Sequence, residues 1–89
     1  MTLQQLKYIV AIDRWRNFAK AAEQCGISQP TLSAMLVKLE EELDVCIFER
    51  NNKSVTPTAA GEIIIRQAEK ALAEAERITE LVAEDKGSV

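Results

Sequence analysis

The stretch from Asn17 to Leu43 constrains this chain most, because it predicts two short helices joined by a tight turn. The apolar residues of the first helix recur at helical spacing, at Phe18, Ala21, Ala22 and Cys25. Asn17 can cap this helix, and Gly26 permits the positive φ of a helix end. Ser28 can cap the second helix, and Pro30 falls in its first turn, where no interior hydrogen bond is lost.

The second helix has two distinct faces. One face is a narrow stripe of Leu32, Leu36, Leu39 and Leu43. At about 100° of turn per residue, the opposite face carries Pro30, Ala34, Val37, Lys38 and Glu41. This outer face has little charge for a solvated surface. The pair of helices therefore has the layout of a DNA-reading helix-turn-helix; the alternative is that Ser28 only caps and the outer apolar residues contact nothing.

The length and the first residues indicate one small domain. At 89 residues the core can only be modest, so self-association is expected. Met1 leads directly into a helix predicted over residues 3–13, with Thr2 as its cap and Gln5 completing a capping box. Since we see no long apolar run and no basic leader, we expect a soluble, cytoplasmic protein without a membrane partner.

The charge is unevenly distributed along the chain. Residues 1–57 carry seven basic and seven acidic side chains, whereas residues 58–89 carry four and seven, which accounts for the net charge of -3. The acidic excess therefore belongs to the C-terminal segment and does not argue against nucleic acid at the helix-turn-helix.

Neither cysteine is predicted to do chemistry. Cys25 and Cys46 both lie among apolar residues, so we expect small core residues rather than redox groups. With no histidine, the usual zinc ligand sets are excluded, and we expect no cofactor or metal. Of the functions considered, an enzyme has the least support from the sequence. The chain has no Cys-x-x-Cys pair, phosphate-binding glycine loop or isolated carboxylate pair.

A change of pattern after Leu43 predicts a two-stranded wing over residues 45–56. The run VCIFER at 45–50 is rich in β-formers, residues 51–53 form a polar turn, and residues 54–56 return as a second strand. Arg50 and Lys53 are then placed to reach a DNA backbone or minor groove.

The last helix is predicted to start at Thr58 and to pair with a second copy of the chain. A heptad seam runs through Gly61, Ile64, Ala68, Ala71, Ala75, Ile78 and Val82, flanked by Leu72 and Leu81. Alanine at the centre of the seam allows close helix approach. We therefore divide the chain into a DNA-binding domain at 1–57, a dimerisation helix at 58–86 and a tail at 87–89.

Motifs along the whole chain together resemble a known family. They are AA at 21–22, SQPTLS at 28–33, LE at 39–40, FER at 48–50, and then Val55, Thr58, Ala60 and Gly61. This set resembles the DNA-binding region of LysR-type transcriptional regulators. Residues 21–45 look most like the peroxide-responsive activators of bacteria, which sense oxidant through cysteines in a separate C-terminal regulatory domain that we expect to be missing here.

The resemblance implies a mainly α fold: a winged helix-turn-helix with a short two-stranded wing and a long C-terminal linker helix. It also implies a homodimer, whose linker helices pair antiparallel, on an interrupted inverted repeat of double-stranded DNA. Family roles carry over to Ser28, Gln29, Pro30, Thr31, Ser33, Arg50, Lys53 and Thr58. The residue pattern adds Asn17, Ala34 and Lys38 as DNA-contact candidates, and the predicted dimer residues are Ile64, Ala68, Ala71, Leu72, Ala75, Ile78 and Val82.

The side chains of the second helix predict which bases it reads. Gln29 can make a bidentate pair with adenine, and Pro30 and Thr31 can contact a thymine methyl, while Ser28, Ser33 and Thr58 suit phosphates. Two positions depart from the family: Ala34, where arginine is common, and Asp44, where glycine is frequent. Because residues 28–43 contain no arginine, a bidentate guanine contact is unavailable and we expect half-sites rich in A·T pairs.

Two other interpretations of the sequence compete with this one. The first is a different winged-helix regulator, such as the molybdate-responsive kind. The second is a helical dimerisation module with no DNA role, which the acidic balance and the long seam would suit.

Overall fold

The computed structural model describes residues 1–51 and 54–87, and within them it shows four helices and one two-stranded sheet. The elements are α1 (Leu3–Trp15), α2 (Phe18–Cys25), α3 (Gln29–Leu43), β1 (Phe48–Arg50), β2 (Val55–Pro57) and α4 (Ala59–Gly87). The predicted fold class, a mainly α winged helix-turn-helix with a long C-terminal helix, is confirmed. Within the described part of the chain, no helix is both long and apolar enough to cross a bilayer.

The predicted helix starts are present as local hydrogen bonds. Thr2 and Gln5 form the reciprocal capping box of α1. The Asn17 side chain accepts from the Lys20 backbone N–H at 2.8 Å, and Ser28 Oγ accepts from the Thr31 N–H at 3.2 Å. These bonds satisfy backbone donors that no helix can pair internally.

Three helices end on a residue in the left-handed region, and in two of them that residue is not glycine. α1 continues to Trp15, two residues beyond the prediction, and stops at Arg16 with φ 50°. α3 ends at Asp44 with φ 52°, the conformation for which glycine is the usual choice. Aspartate tolerates this region better than most residues, so the departure at position 44 leaves the helix end intact. Gly26 has the predicted positive φ, at 71°.

The core forms where α1, α2 and α3 meet the start of α4. Its side chains are Leu6, Ile9, Ile12, Ala21, Ala22, Leu32, Leu36, Leu39, Ile47, Phe48, Ile65 and Ala68. Leu32, Leu36 and Leu39 of the predicted stripe are fully buried, and Leu43 is half-buried. Trp15 is half-buried and packs against this core.

The expected core position of Cys46 is wrong. Cys46 is exposed, and its sulfur donates to the Phe48 carbonyl at 3.2 Å, whereas Cys25 is half-buried. The chain turns between α3 and β1, so Ile47 and Phe48 enter the core and Cys46 points outward.

The wing is shorter than predicted. β1 and β2 pair antiparallel with Phe48 opposite Pro57, Glu49 opposite Thr56 and Arg50 opposite Val55. Residues 45–47 lead into the first strand rather than forming part of it. Lys53, in the predicted turn, lies outside the described residues.

The first half of α4 packs on its own chain, and the second half extends away from it. Gly61, Ile65 and Ala68 are buried, whereas every residue from 76 to 87 is exposed. The helix includes Gly87, so the predicted tail does not begin there, and positions 88–89 lie outside the described residues. Glycine destabilises a helix mainly in its interior, so a glycine at the last position need not end the helix earlier.

Gly61 is required by a close backbone contact rather than by the seam predicted for it. A Cβ added here would overlap the carbonyl oxygen of Ile47 and lie 3.2 Å from Thr58 Oγ1. Backbone cannot yield as a flexible side chain can, so α4 and the lead into the wing approach this closely only through glycine.

Gly61→Ala is expected to lower the free energy of unfolding by about 1–3 kcal/mol because of this overlap. Helix propensity alone would predict the opposite, a gain of about 1 kcal/mol. Urea unfolding followed by circular dichroism distinguishes the two. A variant as stable as the parent chain would show that the contact can relax freely.

Candidate nucleic-acid interface

The start of α3 presents an ordered, exposed set of side chains. Ser28 and Thr31 hydroxyls lie 2.7 Å apart while Ser28 also caps the helix. Only one of their two hydroxyl protons is used between them, so the other can be donated to an outside acceptor. Capping and external contact are therefore compatible at Ser28.

The predicted outer face of α3 is at the surface. Gln29, Pro30, Thr31, Ala34 and Lys38 are exposed, and Ser33 is half-buried. Val37 on the same face is 44% exposed, a large fraction for a valine. The leucine stripe on the other side anchors the helix so that this face is held outward.

A groove of about 290 Å³ joins the start of α3 to α2 and the wing. Arg16, Asn17 and Gln29 line it together with Asn51 and Ser54 of the wing turn. The structure thus brings Asn17 and Gln29, predicted separately from the sequence, to one surface. Asn51 closes the turn through its side chain, which accepts from the Ser54 N–H at 2.8 Å.

Arg50 lies between two elements of the domain. Its guanidinium stands over the Phe18 ring with the carbon 5.0 Å from the ring centroid. One of its terminal nitrogens is 3.7 Å from a carboxylate oxygen of Glu40. The predicted wing cation is therefore directed toward the start of α2, next to the groove.

Thr58 is committed to the protein's own backbone. Its hydroxyl donates to the Cys46 carbonyl at 2.6 Å and accepts from the Gly61 N–H at 2.9 Å. A phosphate contact would have to replace the first of these bonds. The role implied for Thr58 by family resemblance stays a prediction, and the structure supplies a structural role that the sequence did not suggest.

Sequence reasoning missed two cations beside the start of α2, and one of them, Arg16, lines the groove. Arg16 is held by Asp13, with its Nε donating to the Asp13 carbonyl at 2.7 Å and a terminal nitrogen donating to the carboxylate at 2.9 Å. Lys20 stands 5.1 Å from the centre of the Trp15 ring. Their sequence spacing matches no motif; only the left-handed turn at Arg16 and the packing of α2 place them here.

Charge divides α3 into two halves. The acidic residues Glu40, Glu41, Glu42 and Asp44 all lie at its C-terminal end. Its first nine residues carry no charge, Lys38 lies two residues before the acidic run, and Arg16 and Lys20 lie beside the start of α2. A polyanion is therefore repelled less at the uncharged N-terminal half of α3 than at its acidic C-terminal end.

Both cysteines are held as thiols. Burial raises the pKa of the Cys25 thiol. The pKa of the Cys46 thiol is also raised, mainly by desolvation and next by the nearby Glu40 carboxylate. Since the thiolate is the reactive form, these shifts disfavour nucleophilic or redox chemistry at neutral pH.

The predicted dimer residues fall into three groups. Ile78 and Val82 are 65% and 48% exposed, and the flanking Leu81 is 50% exposed. Ile64, Ala71, Leu72 and Ala75 are half-buried. Ala68 is only 2% exposed within the single chain, so its assignment to a partner surface is corrected: it packs against the chain's own core.

The chain's family follows from sequence comparison. Residues 3–62 match the family described as bacterial regulatory helix-turn-helix protein, lysR family. The chain belongs to the LysR family. Among its relatives is the DNA-binding transcriptional dual regulator OxyR of Escherichia coli K12, 39% identical over 84 residues. That match covers 94% of this chain but 28% of OxyR.

Other relatives agree with the resemblance to peroxide-responsive activators. The hydrogen peroxide-inducible genes activator of Haemophilus influenzae is 36% identical over 83 residues, covering 93% of this chain and 28% of that protein. The full-length OxyR C199D structure from Pseudomonas aeruginosa superposes with a TM-score of 0.88 at 49% identity, over 94% of this chain and 28% of that one.

A solved DNA complex has the same fold. The BenM DNA-binding domain, in complex with benA site 1 DNA, matches with a TM-score of 0.90 at 32% identity, and 97% of each chain is covered. The winged helix-turn-helix of this LysR-family chain is thus shared with a domain solved on DNA.

Proposed function

We propose that this chain is the DNA-binding part of a bacterial LysR-type transcriptional regulator and binds double-stranded DNA in a sequence-specific way. The observation that carries the proposal is the exposed N-terminal half of α3, held beside the α2 groove and the wing. An α-helix fits the major groove, and a wing beside it can follow the backbone. The BenM complex supports the same use of this fold.

Gln29 is proposed as the main base-reading residue. It is exposed in the first turn of α3, where helix-turn-helix proteins make base contacts. Its amide can pair with both major-groove groups of adenine, and Pro30 and Thr31 beside it offer apolar contact to a thymine methyl. Ala34, one turn further along, is small enough to leave room for close approach.

A second set of residues is proposed to contact phosphates and so to fix the position of α3. These are Asn17, Ser28, Ser33, Lys38, Arg50, Lys53 and Thr58. Asn17 and Ser28 lie at helix starts, where backbone N–H groups also favour anions. Such contacts supply affinity on every sequence and a strong dependence on salt.

A homodimer through α4 is proposed as the binding unit. α4 has 29 residues, and its exposed Ile78, Leu81 and Val82 lie on neighbouring turns. Leu3 of α1 is 49% exposed and lines a groove of about 700 Å³ with Leu72 and Ala75. These adjoining apolar surfaces suit a second α4, which would place two α3 helices on an inverted repeat.

The remaining properties belong to the longer protein implied by the relatives. We propose that a regulatory domain senses the effector and that the regulator works in the bacterial cytoplasm, where its DNA is. The similarity to OxyR and other peroxide-inducible activators suggests oxidant as the signal.

The proposal is tested by selecting duplexes from a random pool with this chain. The expected product is an interrupted inverted repeat with A·T-rich half-sites, since α3 contains no arginine for guanine. The logarithm of the association constant for that duplex should fall linearly with the logarithm of the salt concentration. A folded dimer that enriches no sequence and shows no salt-dependent affinity would instead support the helical dimerisation module.

Gln29→Ala is expected to weaken binding to the selected site by about 1–3 kcal/mol per half-site and to relax one base position. Binding to random DNA should change little. Fluorescence anisotropy on both duplexes measures the difference. Gln67→Ala, at an exposed glutamine of α4 that lines neither the α3 groove nor the groove beside Leu3, is the matched control. Equal losses on specific and random DNA would remove the reading role.

Ile78→Asp is expected to raise the dimer dissociation constant by about tenfold or more, because a charge would enter the apolar seam. Sedimentation equilibrium measures this constant. Ala73→Asp adds the same charge at an exposed α4 position on another face and should leave the dimer intact. Equal dissociation in both variants would argue against the proposed seam.

A further inference from the structure

Glu40 is the one carboxylate of the acidic run that is turned toward the protein. Its side chain is 16% exposed, although it belongs to a run of three glutamates on α3. Glutamates in such a run on a helix are usually exposed to solvent. The structure instead places Glu40 between α3, the start of the wing and Arg50.

One carboxylate oxygen of Glu40 fastens the chain that leads into the wing. It accepts from the Ile47 backbone N–H at 2.7 Å and, at a longer 3.4 Å, from that of Phe48. Both residues are buried, with exposures of 0% and 1%, so their N–H groups have no ready access to water. Leaving either N–H unpaired would cost free energy, so these hydrogen bonds link the start of the wing to α3.

The other carboxylate oxygen faces Arg50, at 3.7 Å. The Phe18 ring lies under the guanidinium on the α2 side. Arginine has a flexible stem with many rotamers, and holding its head in place before binding reduces the entropy lost when it meets a phosphate. The arrangement therefore orders a cation at the edge of the proposed DNA surface.

We infer that Glu40 is a positioning residue for DNA binding: it fastens the wing to α3 and holds Arg50 in the orientation that contacts a phosphate. The inference rests on the proposed DNA binding. It assigns a favourable role to an acidic residue that simple charge counting would regard as repelling DNA. Charge counting and this inference predict opposite effects on DNA affinity when the Glu40 charge is removed, which makes the inference testable.

The test is a double-substitution cycle of Glu40→Gln and Arg50→Ala, with affinity measured on the selected duplex at several salt concentrations. Glutamine can still accept from the Ile47 N–H but carries no charge to hold Arg50. We expect Glu40→Gln to weaken binding by about three- to tenfold in the parent chain and to have little effect beside Arg50→Ala. The salt slope should fall by about one per subunit in either single variant, since the same phosphate contact is lost.

Glu41→Gln is the matched control, because Glu41 is an exposed neighbour on the same helix and loses the same charge. If charge alone mattered, both variants would bind DNA more tightly and with a steeper salt slope. That result would overturn the inference, as would an equal loss from Glu40→Gln with and without Arg50. A merely structural role would lower the melting temperature without changing the salt slope of the folded protein.

Phe18→Leu provides a second route if Glu40→Gln does not fold. It keeps an apolar residue at the start of α2 but removes the ring under Arg50. We expect a loss of about two- to fivefold that disappears in the Arg50→Ala background. A loss of the same size in both backgrounds would count against a positioned Arg50. If the parent chain itself shows no salt-dependent DNA affinity, the proposed function fails; if it binds and Glu40→Gln behaves as Glu41→Gln, only this inference fails.

Discussion

The backbone of Ile47 joins the three parts of this domain. Its N–H donates to Glu40 of α3, and its carbonyl accepts from the Thr58 N–H at 2.9 Å. Gly61 of α4 lies against the same carbonyl because it has no Cβ. The side chain of Ile47 is meanwhile fully buried. Besides the shared core, α3, the wing and α4 are therefore linked to one another at this one residue.

This junction explains how a small domain can hold a precise binding surface. A core of this size supplies limited stability, and the wing has only three residues in each strand. A short hairpin is not stable by itself in water. Here its base is anchored by hydrogen bonds to two helices, and its turn is closed by Asn51. Of the side chains proposed to meet DNA, Asn17, Ser28 and Arg50 are held by contacts within the fold before binding, which limits the entropy cost of association.

The charge pattern gives the domain a polarity that its total charge conceals. The acidic residues Glu40, Glu41, Glu42 and Asp44 lie at the end of α3, whereas Arg16 lines the groove beside its start. Attraction and repulsion then act together to select one edge of the domain for a polyanion. The proposed role of Glu40 adds that a half-buried acidic group can support a cation rather than cancel it.

The sequence by itself determined the local structure. Caps at Thr2, Asn17 and Ser28, the glycine at 26 and the leucine stripe of α3 act over one or two turns, so their outcome is readable from neighbouring residues. Tertiary structure decided what depends on contacts distant in sequence. It placed Arg50 between Glu40 and Phe18, turned Cys46 outward, committed the Thr58 hydroxyl to Cys46, and used the first half of the α4 seam for the chain's own core. Heptad spacing shows that a helix has an apolar face but cannot show whether α1 or a partner covers it, because both offer the same burial of apolar surface.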